Sequence, residues 1–173
     1  MSDLGERLAS AYPRDAIIET WKINNRVTTF LLENLPDELW PEAVPGAPRR
    51  TVRMIAGHLH NCRCMWIKTL GTKHRIPVPK SVDRRRVTPK QLLPALERSS
   101  KGIVRLLELG MDRGGKIPGF PGVVVRFLSY FTTHEGHHRG QITMLARQLG
   151  HRLPGDVTAG LWQWSKRAKE VHG

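Results

Sequence analysis

The chain has 173 residues, of which 39% are hydrophobic, and its formal net charge is +13. A chain of this length buries about two-thirds of its unfolded surface, so we expect one domain spanning residues 1–173. No apolar run approaches the roughly 20 residues of a membrane span, and residues 1–15 carry charges where a signal peptide would be apolar. Cys62 and Cys64 would point about 200° apart on a helix, which disfavours a bridge between them. We therefore expect a cytoplasmic protein with no membrane partner.

The positive charge is concentrated in one part of the chain. Residues 49–90, the basic segment, hold 12 basic residues and one acid, Asp83, which gives a net charge of +11. This excess indicates either a solvated basic face or a surface that attracts an anion or a nucleic acid. Aromatic residues do not alternate with the charges and no base-reading motif is present, so nucleic acid is not the expected partner.

Four long helices and a short one are predicted, because apolar residues recur at spacings of three and four. The predicted helices span residues 15–35, 51–70, 89–109, 123–149 and 157–171. Asp15, Thr51 and Thr88 are the expected N-caps, and Pro89 follows Thr88 at the favoured first helical position. No strand pattern is convincing. We therefore predict an all-α fold, an antiparallel four-helix bundle with a short extra C-terminal helix.

Residues 133–141, THEGHHRGQ, place two histidines on one face of the fourth predicted helix. His134 and His138 are four residues apart, so their Cβ atoms lie roughly 5–6 Å apart and both imidazoles can bind one metal ion. His137 is rotated about 100° from His138 and is expected at the flank. Glu135 is a candidate for hydrogen bonding to a ligand, or it faces solvent; Gln141 is a candidate for orienting a ligand or substrate.

The second predicted helix offers a third ligand. His58 lies on its apolar face, whereas His60 is rotated about 200° from it and should point away. Cys62 is four residues after His58 and lies directly beneath it. Three histidines alone leave a coordination position open, as in catalytic zinc sites, whereas Cys62 as a fourth ligand would close the site and favour a structural metal.

Two other interpretations of these histidines compete with a metal site shared by the second and fourth predicted helices. His-Glu-x-x-His also matches zinc proteases. A glycine inside the string weakens that helix, the only later acids are Asp156 and Glu170, and no strand edge is available to hold a peptide. The histidines can also pack in a core without a metal.

The string HEGHHRGQ, on a long fourth helix after an aromatic run, resembles the DinB/YfiT-like superfamily. The upstream stretch TVRMIAGHLHNCRCMWI is similar to the second-helix segment of that family, and the resemblance covers residues 14–150. It implies a four-helix bundle that binds a divalent metal through His58, His134 and His138. It also implies a homodimer, and the characterised relatives include transferases and isomerases that use bacillithiol or mycothiol.

These observations favour a metal-dependent enzyme, a thiol transferase or a hydrolase that acts on a small molecule. Zn²⁺ or Ni²⁺ is the expected cofactor, since imidazoles accept both. The nucleophile would be a metal-bound water or the thiolate of a low-molecular-weight thiol, which is then a partner as well. The alternative is a non-catalytic metal-binding bundle that acts through partner or nucleic-acid binding on its basic segment.

Overall fold

The computed structural model describes residues 14–172, which are mostly helical with one small sheet. The elements of this part of the chain are α1 Arg14–Glu33, β1 Ala43–Val44, β2 Ala47–Thr51, α2 Val52–Gly71, α3 Pro89–Met111, α4 Val124–Gln148, α5 Gly155–Gly160 and α6 Trp164–His172. No described helix combines the length and apolarity of a membrane span. Residues 1–13, on which the prediction about a signal peptide largely rests, lie outside the described residues.

Two of the three predicted helix caps are present. The Thr51 hydroxyl accepts a hydrogen bond from the backbone N–H of Met54 at 3.3 Å, and Thr88 forms a reciprocal capping box with Gln91. These caps satisfy backbone donors that the first helical turn leaves without partners. The prediction for Asp15 is wrong, because α1 already includes Arg14 and Asp15 lies within its first turn. A carboxylate there still interacts favourably with the helix dipole.

The sequence predicted helices only, but the structure also contains a β-hairpin. β1 and β2 pair antiparallel, with Ala43 opposite Thr51, and Gly46 turns the chain between them at a φ of 76°. A positive φ is accessible to glycine without steric cost, which explains the tight turn. The C-terminal prediction also needs correction: α5 and α6 replace the single helix predicted for 157–171, and the break falls after Gly160.

The apolar core consists of two clusters separated by polar side chains. The Trp40 cluster includes Leu31, Ile55, Leu92 and Ile142, and the Trp21 cluster includes Ile67, Ile103, Phe127 and Phe131. Between them lies a buried polar layer to which all four long helices contribute. Its members are Asn24, Asn25 and Thr28 of α1, His60 and Arg63 of α2, Ser99 and Ser100 of α3, and Glu135 and His138 of α4.

The order of the two clusters along each helix gives its direction. α1 and α4 begin in the Trp21 cluster and end in the Trp40 cluster, whereas α2 and α3 begin in the Trp40 cluster and end in the other. The consecutive helices α2 and α3 therefore run the same way, which corrects the expectation of a fully antiparallel order.

The connection between α2 and α3, residues 72–88, makes this parallel arrangement reachable. An extended chain advances about 3.3 Å per residue, so this connection can return along the roughly 30 Å length of α2. It does so in contact with α2, because the Asn61 amide both donates to the Val82 carbonyl and accepts from the Val82 N–H, each at 2.9 Å. The basic connection is thus anchored against the helix that carries His58.

Candidate metal centre

The structure brings together the three histidines that the sequence predicted as ligands. His134 and His138 lie on one face of α4 with ring centroids 4.6 Å apart, as expected for residues four apart on a helix. His58 projects from α2 against both, with centroid distances of 5.2 Å to His134 and 4.8 Å to His138. We refer to these three residues as the histidine cluster. Whether they ligate a metal together stays a prediction.

The spacing of two ring nitrogens in the histidine cluster fits a shared metal ion. The Nε2 atoms of His58 and His134 lie 3.2 Å apart. Two ligands that bind one tetrahedral zinc ion at about 2.0–2.1 Å are separated by about 3.3 Å. The same distance also suits a hydrogen bond between the two nitrogens if one of them carries a proton. The separation therefore admits a metal ion with little movement of either ring.

His138 is oriented by Gln141, one turn further along α4. The Nδ1 atom of His138 lies 2.9 Å from the Oε1 atom of Gln141. An amide oxygen only accepts hydrogen bonds, so Nδ1 carries the proton and Nε2 keeps its lone pair. Metal-binding histidines are commonly held in this way by a partner on the second ring nitrogen. His134 lacks such a partner, since its buried Nδ1 has no hydrogen bond within residues 14–172.

Cys62 adds a thiol to the histidine cluster. Its Sγ atom and one ring nitrogen each of His58 and His134 lie within 4.8 Å of one another, so these three residues form a group that could hold a metal ion. His138 does not belong to this group, although its ring centroid lies 4.8 Å from that of His58 and 4.6 Å from that of His134. Burial raises the pKa of the Cys62 thiol to about 11. At neutral pH the thiol therefore stays protonated unless a bound metal displaces the proton.

The rings of the histidine cluster are neutral at pH 7. Burial lowers the pKa of His58, His134 and His138, and for His138 the value falls to about 4. Neighbouring imidazoles and arginines lower these values further, because each would repel a second positive charge. Neutral imidazoles are the form that binds metal ions, so proton competition is weak at physiological pH.

Glu135 does not point towards the histidine cluster. Its carboxylate is fully buried and accepts two hydrogen bonds from Arg63, at 2.7 and 2.9 Å. Asn24 and Thr28 of α1 each donate to the same carboxylate at 2.9 Å. Burial alone would raise the pKa of Glu135, but the Arg63 charge and these hydrogen bonds lower it overall, so the carboxylate is ionised. The expectation that it orients a histidine ligand or faces solvent is corrected.

This geometry also argues against the protease interpretation. A zinc protease uses the glutamate of His-Glu-x-x-His as a general base beside the metal. Here both Glu135 oxygens are engaged by Arg63 and α1, about 100° around α4 from His134. Arg63 was not singled out from the sequence, although it is a lone charge among the apolar positions of α2.

The other sequence candidates have different surroundings. His60 is fully buried and points away from His58, as predicted, with its ring nitrogens 3.0 Å from the Ser99 hydroxyl and 3.0 Å from the Lys80 carbonyl. Its Nε2 also lies 3.3 Å from the Cys64 Sγ atom, and burial raises the pKa of that thiol. Cys64 is therefore a packed thiol rather than a nucleophile. His137 is exposed at the flank.

An aromatic surface lies next to the histidine cluster, one helical turn before His134 on α4. The Tyr130 ring stacks on His134 with an interplanar angle of 14° and a centroid distance of 6.0 Å. Trp66 of α2 packs edge-on against Tyr130, and its indole N–H donates to the Tyr130 hydroxyl at 3.4 Å. Tyr130 is 39% exposed, so this edge of the cluster is reachable from solvent.

The DinB family model matches residues 124–168, which include α4, α5 and the first part of α6. The match contains His134, His138 and Gln141 but ends well short of α2 and His58. No curated protein and no solved structure matched this chain. The resemblance predicted from HEGHHRGQ is thus confirmed over residues 124–168, where the chain matches the DinB family model.

Proposed function

We propose that this protein is a metal-dependent enzyme of the DinB-like type, either a thiol S-transferase or a hydrolase that acts on a small molecule. In this proposal the four long helices form a DinB-like four-helix bundle, and His58, His134 and His138 hold one divalent ion, Zn²⁺ or Ni²⁺. The observation that carries it is the 3.2 Å separation of the His58 and His134 Nε2 atoms, with the His138 ring against both.

The histidine cluster and the residues beside it have separate roles in this proposal. His58 and His134 bring their Nε2 atoms together from two helices, and Gln141 holds His138 in the tautomer that leaves Nε2 as a donor. A divalent metal held by these imidazoles would make a bound water or thiol lose a proton more readily. Tyr130, stacked on His134, and Trp66 beside it offer an apolar surface next to the histidine cluster.

Metal analysis of the untagged protein tests the proposal. We expect about one transition metal ion per chain after incubation with zinc or nickel, and loss of that ion in His58→Ala. His137→Ala is the matched control, because His137 is exposed on the same helix as two of the ligands and should retain the metal. Retention in His58→Ala, or no metal in the wild type, would contradict the proposal.

A second candidate function is a non-catalytic metal-binding protein, and the position of Cys62 favours it. With Cys62 as a fourth ligand the site would be closed, the pattern of structural zinc. Our proposal predicts instead that Cys62→Ser keeps about one metal ion per chain. We also expect the cobalt-loaded wild type to lack the intense near-ultraviolet absorption of a thiolate ligand, measured by spectrophotometry. Metal loss in Cys62→Ser, matched by loss of that band, would favour the structural role.

Three further expectations from the sequence stay predictions. They are the homodimer implied by the family resemblance, the cytoplasmic location, and the single domain across residues 1–173. Two large apolar side chains, Trp162 and Met144, are 85% and 60% exposed and are candidates for burial in such a dimer.

A further inference from the structure

Several exposed arginines of the basic segment have no carboxylate partner among the described residues. Within residues 14–172, the basic segment forms two ion pairs with acids, Arg63 with Glu135 and Arg86 with Asp83. The arginines of the basic segment outside these pairs include Arg49, Arg50, Arg84 and Arg85, all of them exposed. Like charges held close together without counterions repel one another, and an anion that binds between them relieves that repulsion.

Two of these arginines are held in place by the fold. β2 carries Arg50 directly before the Thr51 cap of α2, so the hairpin determines its position. Arg84 lies against α2 at Gly57, where an added Cβ atom would meet the Arg84 Cγ atom at 3.2 Å and its Cα atom at 3.4 Å. The absence of a side chain at Gly57 therefore lets the basic connection pack closely against α2, one residue before His58.

Both arginines lie next to residues that adjoin the histidine cluster. A guanidinium nitrogen of Arg50 lies 3.4 Å from the Oε1 atom of Gln141, the atom that also accepts from His138. Arg84 packs at Gly57, the residue before His58. The two arginines thus bring positive charge close to the helical turns that carry His138 and His58.

A cavity of about 410 Å³ lies at the start of α2. It is lined by Arg49, Thr51, Met54 and Arg85. Met54 is one turn before His58 on α2, so the cavity and the histidine cluster are neighbours on the same helix. Its volume falls in the range of small-molecule sites, and its two charged lining residues are both arginines.

We propose that Arg50 and Arg84, with their sequence neighbours Arg49 and Arg85 in the adjoining cavity, form an anion-binding subsite that holds a carboxylate or phosphate group of a small-molecule substrate near the histidine cluster. The inference rests on the proposed function for its choice of a substrate, but not for the binding of an anion. Guanidinium groups suit this task because they donate paired hydrogen bonds to carboxylate and phosphate oxygens. A concave site without stacking aromatics fits a small anion better than a nucleic-acid strand.

Calorimetric titration of succinate and of inorganic phosphate into metal-free protein tests this subsite without interference from metal ligation. We compare the wild type with an Arg50→Gln, Arg84→Gln double variant. Both arginines are exposed, and glutamine keeps the Cγ atom that packs at Gly57, so the fold should persist. The matched control is Arg113→Gln with Arg152→Gln, which removes the same charge at exposed positions elsewhere. We expect the dissociation constant to rise about tenfold or more in the test variant and to change by less than about twofold in the control.

The results of this titration support or overturn the anion subsite independently of the proposed metal site. Equal weakening in both double variants, or no anion binding by the wild type, overturns the subsite. Binding of a single-stranded DNA with a steep salt dependence, and no binding of succinate or phosphate, also overturns it in favour of a nucleic-acid surface. Anion binding that depends on Arg50 and Arg84 supports the subsite even if metal analysis has rejected the metal.

Discussion

Replacing Glu135 with leucine is expected to destabilise the protein by about 3–5 kcal/mol. The substitution leaves the fully buried Arg63 guanidinium without its carboxylate, and it also removes the acceptor for Asn24 and Thr28. An uncompensated buried charge costs far more than the pair contributes when intact. Because typical domains are stable by only 5–15 kcal/mol in total, the loss should be large in a urea denaturation curve at pH 7.

Two further variants test whether the stability lost in Glu135→Leu comes from the unpaired charge of Arg63. The double variant Arg63→Met with Glu135→Leu should recover part of the lost stability, because it removes the unpaired Arg63 charge. Recovery is incomplete, since Asn24, Thr28 and Arg139 still lack the Glu135 carboxylate. Glu97→Gln is the control, since Glu97 is an exposed partner of Lys101 and should change stability by less than about 1 kcal/mol. A loss below about 1 kcal/mol in Glu135→Leu, or no recovery in the double variant, would refute the argument.

Zinc is expected to raise the midpoint of thermal unfolding by about 8–16 °C when its free concentration is about 1,000 times the dissociation constant. Ligation of the folded state stabilises it by about 4 kcal/mol under these conditions. His134→Ala should abolish the increase, because it removes the nitrogen that faces His58, whereas His137→Ala should keep it. Differential scanning calorimetry with and without zinc measures both. An equal increase in His134→Ala would mean that the ion binds elsewhere.

The zinc effect should also depend on pH in a defined direction. The pKa values of His58, His134 and His138 are lowered on folding, that of His138 to about 4, so the folded protein keeps its imidazoles neutral below the ordinary value of 6.5. Stabilisation that depends on neutral rings is present above that value and is lost as the pH falls through the lowered pKa values. The zinc-dependent increase should therefore be similar at pH 7.5 and 6.5 and should shrink at lower pH.

The convergence of the histidines could be predicted because it depends on the geometry of single helices. The spacing of His134 and His138 puts them on one face of any α-helix, and the apolar face of α2 contains His58. The inward faces of neighbouring helices must meet. Assigning the helices was therefore almost enough to predict that the three histidines lie together.

The Glu135–Arg63 pair could not be predicted in the same way. The pairing depends on how far α2 and α4 are rotated towards each other, and the sequence offers Arg63 as one of 12 basic residues in its segment. Arginine is also rarely fully buried, so the usual expectation was a solvated side chain.

The parallel direction of α2 and α3 and the hairpin of β1 and β2 were not predicted, for separate reasons. The connection 72–88 is long enough to return along α2 or to turn back at its end, so its length does not decide whether α2 and α3 run parallel. The hairpin residues 43–51 contain two prolines and are too short to show an alternating pattern, and the pairing depends on the turn at Gly46.

The buried polar layer also has a consequence for helix register. Leucine and isoleucine recur along the long helices, so sliding α4 by one turn, about 5.4 Å, would exchange one apolar neighbour for a similar one. The polar layer offers no such substitute, because the same slide would place Arg63 opposite Phe131 or Arg139, depending on its direction, instead of Glu135. We therefore expect the layer to select a single alignment of α4 on α2. That alignment is the one in which His58 faces His134.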